Sequence, residues 1–158
     1  MPTITLTTPI SAPIERCFLL SLSVDLHSIS TKETNEKAIA GVTSGLMKLN
    51  DTVTWRAKHF GIYQNLTSKI TKYKFPTCFV DEQVKGAFKW IHHQHAFQQT
   101  DNGTIMTDIF EFEAPFGILG RLFSKLVLTN YMKRFLEKRN AIIKEYAESE
   151  EWKKILSE

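Results

Sequence analysis

Residues 90–97, which read WIHHQHAF, hold the densest group of side chains that could do chemistry. If this segment is a strand, His93, His95 and Phe97 share one of its faces. The DNG sequence at 101–103 predicts a hairpin in which a second strand returns and brings Asp108 opposite His95. Facing side chains lie about 5 Å apart at Cβ, so the sequence predicts an imidazole beside a carboxylate. The same face would carry His93, Phe97, Met106 and Phe110.

Three interpretations of this face stay open. In the first, His95 and Asp108 form a structural hydrogen bond that satisfies buried polar groups. In the second, they orient a ligand or act as general acid and base at a cavity wall, because a carboxylate fixes the tautomer of a histidine and raises its pKa. In the third, His93 and His95 join a carboxylate as metal ligands. A His-x-His pattern alone is a weak signal, so the sequence assigns no metal and no cofactor.

The strands and helices predicted around this hairpin are typical of an α+β fold. A first strand at 3–8 precedes two short helices, at 11–22 and 24–30, and Ser11 is the expected N-cap of the first. About six further strands follow, joined by turn sequences. The expected strands are 36–40, 52–60, 66–73, 78–84, 88–99 and 104–113. The sequence therefore predicts a curved antiparallel sheet of about six to seven strands.

Individual side chains can be assigned to a face in some strands only. Alternation of apolar and polar residues along 52–60 predicts that Trp55 faces inward, as part of a cavity wall. His59 is expected to be solvated at the end of that strand, and His27 to lie at the surface. The inward face of 78–84 stays undetermined, although its DEQ sequence at 81–83 offers one carboxylate to the interior.

The chain ends in one long amphipathic helix, because neither proline nor glycine follows Gly120. Apolar residues recur there at spacings of three and four. At ~1.5 Å per residue, residues 121–158 would span more than ~50 Å as one helix, which is longer than a domain of this size. We therefore expect a bend near 128–130 and a separate turn beyond Ser149. The helix is predicted to cover the concave face of the sheet and to close a pocket there.

Composition narrows the class of protein. The 158 residues are expected to form one domain, 1–158, and a net charge of +3 without a basic tract argues against nucleic-acid binding. The two cysteines, far apart in sequence, are expected to be free thiols. No signal-peptide pattern begins the chain, so a cytoplasmic location is the default. The basic face of the last helix is interpreted as solvated, with attraction to a membrane surface as the alternative.

Several short motifs occur in a family-like order. They are DTVTW at 51–55, FVDEQ at 79–83, HQHAF at 93–97, Thr104 with Asp108, APFGILG at 114–120, and Arg139 with Asn140. Together they resemble the START-related, polyketide cyclase/dehydrase-like superfamily called SRPBCC, and within it a bacterial subgroup of ligand-binding proteins. The resemblance covers nearly the whole chain and implies a helix-grip fold, in which a curved sheet wraps around the C-terminal helix. The pattern of a Rieske cluster is absent.

Three functions are consistent with this resemblance and with the residues. The first is binding of a hydrophobic small molecule, such as a lipid or polyketide, between the sheet and the C-terminal helix. The ligand-binding residues predicted for it are Trp55, His93, His95, Phe97, Met106, Asp108, Phe110, Leu122 and Leu126. The second is a cyclase/dehydrase-like enzyme with His95 and Asp108 as acid and base. The third is a protein-interaction module without a ligand. A cavity above roughly 300 Å³ would support the first two functions.

Overall fold

Seven strands form one antiparallel sheet in the computed structural model, which describes residues 2–156. The strands are β1 (Thr3–Ile10), β2 (Lys37–Gly41), β3 (Thr52–His59), β4 (Ile62–Lys74), β5 (Cys78–Lys85), β6 (Trp90–Thr100) and β7 (Gly103–Glu113). Their spatial order is β1-β7-β6-β5-β4-β3-β2. Consecutive strands from β2 to β7 are thus neighbours, and β1 joins the sheet by pairing with β7. The predicted α+β architecture is confirmed.

The hairpin of β6 and β7 has the register that its turn sequence predicts. The pairs include His95 with Asp108, His93 with Phe110, and Phe97 with Met106. Gly103 permits the tight turn, because its φ is +144° and a Cβ atom there would lie 2.2 Å from the carbonyl oxygen of Ile10. The end of β1 therefore packs directly against this turn.

Two short helices connect β1 to β2. The first, α1 (Ile14–Ser21), begins after Pro13, which has a φ of −61° and takes the N-cap position without a side-chain cap. The prediction of Ser11 as N-cap was wrong, because the fixed φ of proline lets the helix begin two residues later. The second, α2 (Val24–Ser30), has the side chain of Ser23 as its N-cap.

The C-terminal helix is interrupted as predicted, by a π-helical segment. It comprises α3 (Gly117–Phe123), the π-helical segment Ser124–Leu128 and α4 (Thr129–Glu148). The N–H of Thr129 donates to the carbonyl oxygen of Ser124, five residues earlier. Such a turn holds more residues than an α-turn, so side chains before it are rotated relative to those after it. Beyond Ser149 the chain forms a separate short helix, α5 (Trp152–Leu156).

The packed core lies between α1, the sheet and the second half of α4. Phe18 is completely buried, and its ring contacts those of Tyr73, Phe75, Phe79 and Phe97 at centroid distances of 5.2–5.4 Å. Leu136, Ile143 and Ala147 form the buried apolar side of α4, which contacts β1, α1 and α2. The helix is thereby held across the sheet, and this arrangement positions the site described below.

Two smaller expectations concern the cysteines and the helices. Cys17, which is buried, and Cys78, which is half-buried, are both free thiols, as predicted. Burial raises the pKa of the Cys17 thiol, so this side chain behaves as a small apolar group. None of the helices within residues 2–156 is long and apolar enough to cross a membrane.

Candidate functional site

A cavity of about 200 Å³ lies between the sheet and α4. Most of its lining is apolar. The apolar lining residues include Val53, Trp55, Ala57, Ile91 and Phe110 from the sheet, and Leu128, Met132 and Leu136 from the helix. The volume is below the ~300 Å³ at which pockets for drug-sized ligands usually begin. The interior therefore contains a cavity, but its volume is small for a ligand site.

Four polar side chains form a group on three neighbouring strands, which we call the Asp–His cluster: Asp81, His93, His95 and Asp108. The register places Asp81 opposite His93, and Asp108 opposite His95. The shortest contacts nevertheless run diagonally. Nε2 of His95 lies 2.7 Å from Oδ2 of Asp81, and Nε2 of His93 lies 2.8 Å from Oδ1 of Asp108. Each imidazole also faces the other carboxylate, with 3.9 Å from Nδ1 of His93 to Asp81 and 3.3 Å from Nδ1 of His95 to Asp108.

Asp108 is fixed from the helix side by two residues of α4. Nδ2 of Asn140 donates to Oδ2 of Asp108 over 2.7 Å. Nη1 of Arg139 lies 3.4 Å from Oδ1 of Asp108 and donates to Oδ1 of Asn140 over 2.9 Å. All three side chains are buried. The sheet and the helix are therefore joined by a charged, hydrogen-bonded network beside the cavity.

The charges of the cluster follow from these contacts. Burial, together with the neighbouring His95, lowers the pKa of His93 to about 4, so His93 is neutral near pH 7. Burial raises the pKa of Asp108, but the hydrogen bond with His93, the nearby ring of His95 and the charge of Arg139 outweigh it and hold that pKa well below its usual range. Burial likewise raises the pKa of Asp81, and its contacts with His95 and His93 overcome this and lower it. Both carboxylates are thus ionised. Neutral His93 has its hydrogen on Nε2, because Asp108 can only accept.

Two further polar contacts lie along the cavity wall near β3. Nε2 of His27 is 2.8 Å from the Glu36 carboxylate, and its ring lies 4.3 Å from that of Trp55. Nδ1 of His59 is 2.6 Å from the hydroxyl of Tyr131. His59 lies at the end of β3 as expected, but it is half-buried rather than solvated, and His27, also half-buried, lines the cavity. Tyr131 and Phe135 of α4 pack against the ring of His59, and Glu36, the residue before β2, is itself buried beside His27.

The predicted ligand-binding residues lie in three environments. Those that line the cavity are Trp55, His93, His95 and Phe110. Those that are buried outside the cavity lining are Phe97, Met106 and Asp108. Leu122 and Leu126 do not line the cavity, because they lie on the solvent side of the helix and are 54% and 64% exposed. Ligand contact stays a prediction for the four residues that line the cavity. The three residues buried outside the lining do not face the cavity, and the positions of Leu122 and Leu126 do not support ligand contact.

Three residues of the site were not assigned to it from the sequence. Asp81 could not be placed because Phe79 and Val80 are both buried, so the strand shows no simple alternation. The positions of Arg139 and Asn140 in the helical pattern could have assigned them to the site. They fall between Leu136 and Ile143 at helical spacing, so they interrupt an apolar stripe with polar groups. A charged residue inside such a stripe requires a buried partner, which here is Asp108.

Comparison with known proteins supports the fold. No family model and no curated protein matches the sequence. TTHA0849 from Thermus thermophilus has 17% identity and a TM-score of 0.70, over 90% of this chain and 97% of that chain. Ginseng major latex-like protein 151 from Panax ginseng has 16% identity and a TM-score of 0.66, over 92% and 97%. Ara h 8.0201 has 13% identity and a TM-score of 0.62, over 92% and 97%. These similarities, together with the sheet and the long C-terminal helix, show that the chain has a helix-grip fold.

Proposed function

We propose that this protein binds a compact hydrophobic molecule in the cavity, with the polar end of the molecule at the Asp–His cluster. The observation that carries the proposal is the cavity wall, which is apolar over most of its lining and polar at a few fixed points. This combination is typical of small-molecule sites. We expect residues 1–158 to act together as one binding domain, since the sheet, the long C-terminal helix and the short helix α2 all contribute to the wall.

The size of the cavity restricts the apolar part of the ligand. A cavity of about 150 Å³ in another protein holds one benzene molecule. The cavity of about 200 Å³ here therefore suits one or two rings, or a short branched chain, better than the full acyl chains of a lipid. Trp55 on β3 and His93 on β6 are three strands apart, or about 14 Å at ~4.8 Å per strand. A molecule of one or two rings is shorter than this distance, so it would contact only part of the wall when its polar end lies at the Asp–His cluster.

The charges of the wall restrict the polar end. Asp81 and Glu36 are the acidic side chains among the described lining residues, and Arg139 is the basic one. Arg139 already interacts with Asp108 and Glu36 with His27, so the accessible charge of the wall is the Asp81 carboxylate. A ligand carboxylate would be repelled, whereas a hydroxyl or N–H group can donate to Asp81, whose side chain is 24% exposed. We therefore expect a neutral or cationic polar end.

The same contacts favour binding over acid–base chemistry by His95 and Asp108. Asp108 is fully buried, does not line the cavity and is held ionised by His93, His95 and Arg139. A general acid or base has to come within hydrogen-bond reach of the reacting group. Asp108 is better suited to orient the two histidines from behind.

Native mass spectrometry of protein purified from its own source tests the proposal. We expect one small apolar molecule to accompany the folded chain and to be released on unfolding. A panel of phenols, indoles and short-chain alcohols should then include compounds that raise the unfolding temperature. A free concentration of roughly 100 times Kd stabilises a protein by about 2.7 kcal/mol. A chain that carries no molecule and shows no shift with any compound of the panel would contradict the proposal.

A further inference from the structure

The Asp–His cluster places the four ring nitrogens of its two histidines against its two carboxylates. Four nitrogen-to-carboxylate contacts, of 2.7, 2.8, 3.3 and 3.9 Å, connect two imidazoles with two carboxylates. A carboxylate can only accept hydrogen bonds, so any ring nitrogen here without a hydrogen turns its lone pair towards an anion. Nδ1 of His95 is buried and makes no hydrogen bond among the described residues. An additional positive charge would complete the cluster.

We infer that the Asp–His cluster binds one divalent transition-metal cation, with Asp81, His93 and His95 as its ligands. The three donor atoms lie within 4.8 Å of one another. Around a tetrahedral zinc with bonds of ~2.0–2.1 Å, ligand atoms are about 3.3 Å apart. The distances from Oδ2 of Asp81, 2.7 Å to His95 and 3.9 Å to His93, lie on either side of that value. Small side-chain rotations would form the site.

Asp108 provides the outer contacts that such a site requires. Histidine ligands of metals almost always donate their second ring N–H to a carboxylate or carbonyl oxygen. Nε2 of His93 and Nδ1 of His95 both face Oδ1 of Asp108, at 2.8 and 3.3 Å. With one hydrogen on each of these nitrogens, Nδ1 of His93 and Nε2 of His95 are free to bind the metal beside Asp81. Every nitrogen of the cluster then has a partner.

The position of the cluster leaves room for a further ligand. Asp81, His93 and His95 all line the cavity, so the fourth coordination position would face its interior. Two histidines and one carboxylate are borderline nitrogen and oxygen donors, which suit Zn²⁺, Co²⁺ and Fe²⁺ better than Mg²⁺ or Ca²⁺. This inference does not depend on an organic ligand, because the donor atoms and their outer contacts all belong to the protein.

Titration of chelator-treated protein with Zn²⁺ and with Co²⁺ tests the inference. We expect one cation per chain by elemental analysis, and visible Co²⁺ absorption bands of four-coordinate intensity. Asp81→Asn and His95→Gln should abolish stoichiometric binding. Asp108→Asn should weaken it by roughly 10- to 100-fold, as is typical for loss of an outer carboxylate. His92→Ala is the matched control, because His92 lies on the other face of β6 and should bind as the wild type does.

Two outcomes would overturn the metal site. One is wild-type protein that takes up neither cation at one per chain. The other is an Asp81→Asn variant that binds like the wild type, which would place the metal elsewhere, for example at His27 and Glu36. If a ligand variant does not fold, the Co²⁺ spectrum of the wild type still decides the question. An organic molecule found by native mass spectrometry would support the proposed function independently of either outcome.

A second inference rests on a different surface, residues 116–127, which we call the apolar segment. Its exposed large apolar side chains are Phe116, Ile118, Leu119, Leu122, Phe123, Leu126 and Val127, each between 43% and 84% exposed. Contiguous apolar surface of this kind marks an interaction site. The segment borders the cavity, because the ring of Phe60, which lines the cavity, contacts those of Phe123 and Tyr131.

The charges around the apolar segment identify its partner. No aspartate or glutamate occurs between Glu113 and Glu137, whereas this stretch carries Arg121, Lys125, Lys133 and Arg134. All four cationic residues are exposed. Exposed apolar side chains mixed with cations are typical of helices that lie in the interface of an anionic bilayer. We propose that the apolar segment docks onto an anionic membrane surface, where the cavity can exchange its ligand.

Co-sedimentation with vesicles tests the membrane inference. We expect binding to vesicles of phosphatidylcholine with phosphatidylglycerol and much weaker binding to phosphatidylcholine alone. Lys125→Ala should weaken binding about fivefold, as one cation contributes about 1 kcal/mol near an anionic surface. Lys72→Ala, an exposed lysine on β4, is the matched control. Wild-type protein that does not co-sediment with anionic vesicles would overturn the inference. A dimer in buffer that Leu119→Gln dissociates would then identify a second copy as the partner.

Discussion

Asp108→Asn should lower the free energy of unfolding by about 3–5 kcal/mol, as measured by denaturant unfolding. The substitution keeps the shape of the side chain and removes its charge. Arg139, which is buried, would lose its carboxylate partner, and His93 and Asn140 would lose a charged acceptor. Breaking a buried ion pair by removing one partner costs this much because an uncompensated charge stays inside the protein.

Asp101→Asn is the matched control for this effect. Asp101 belongs to the same hairpin but is exposed at its turn. Substitutions at such surface positions usually change stability by no more than ~0.5 kcal/mol. Equal losses in the two variants would show that the network between the sheet and α4 does not hold the helix in place. A large loss at Asp108 alone would identify this network as the connection that positions the helix over the cavity.

The hairpin that carries the histidines could be predicted from sequence, because its register depends on local information alone. The DNG turn determines which residues of β6 and β7 face each other, and this pairs His95 with Asp108. Alternation then gives the inward face. The same reasoning could not give the hydrogen bonds, which run diagonally and depend on Asp81 of a third strand. Side-chain partners are selected by the whole sheet, whereas register is selected by the turn.

The inward face of β5 could not be predicted because its ladder with β4 is irregular. The register shifts between Thr67 and Ser68 and again between Ile70 and Lys72. An irregularity of this kind places two residues of one strand against one of the other, so side chains after it change face relative to simple alternation. Asp81 lies between these shifts in the pairing. Its placement in the cavity wall needed the three-dimensional structure.

The cavity-facing side of the C-terminal helix was predicted from a periodicity that the π-helical segment interrupts. Leu119, Leu122 and Leu126 are spaced by three and four residues, which is typical of a buried stripe. The π-turn at Ser124–Leu128 holds extra residues, so this stripe does not continue into Leu136 and Ile143. The apolar face of the helix can therefore be predicted from sequence on each side of the π-turn. The rotation between these two faces cannot.

Ala57→Leu should weaken ligand binding at least tenfold while the protein stays folded. Ala57 is buried in β3 and lines the cavity, so three added carbon atoms would enter the space that a ligand occupies. In a filled core such an addition costs about 1–3 kcal/mol. Because part of the added volume here enters the cavity, we expect Ala57→Leu to lower the stability by less than this. Ala40→Leu adds the same atoms to an exposed position of β2 and is the matched control.

Calorimetric titration of these proteins with indole, and with the other compounds of the panel, tests binding in the cavity most directly. Indole is a compact two-ring molecule with one N–H group that can donate to Asp81. We predict one-site binding of at least one compound by the wild type and by Ala40→Leu, and at least tenfold weaker binding by Ala57→Leu, or about 1.4 kcal/mol. Equal affinity in all three proteins would contradict the account, because the ligand would then lie outside the cavity.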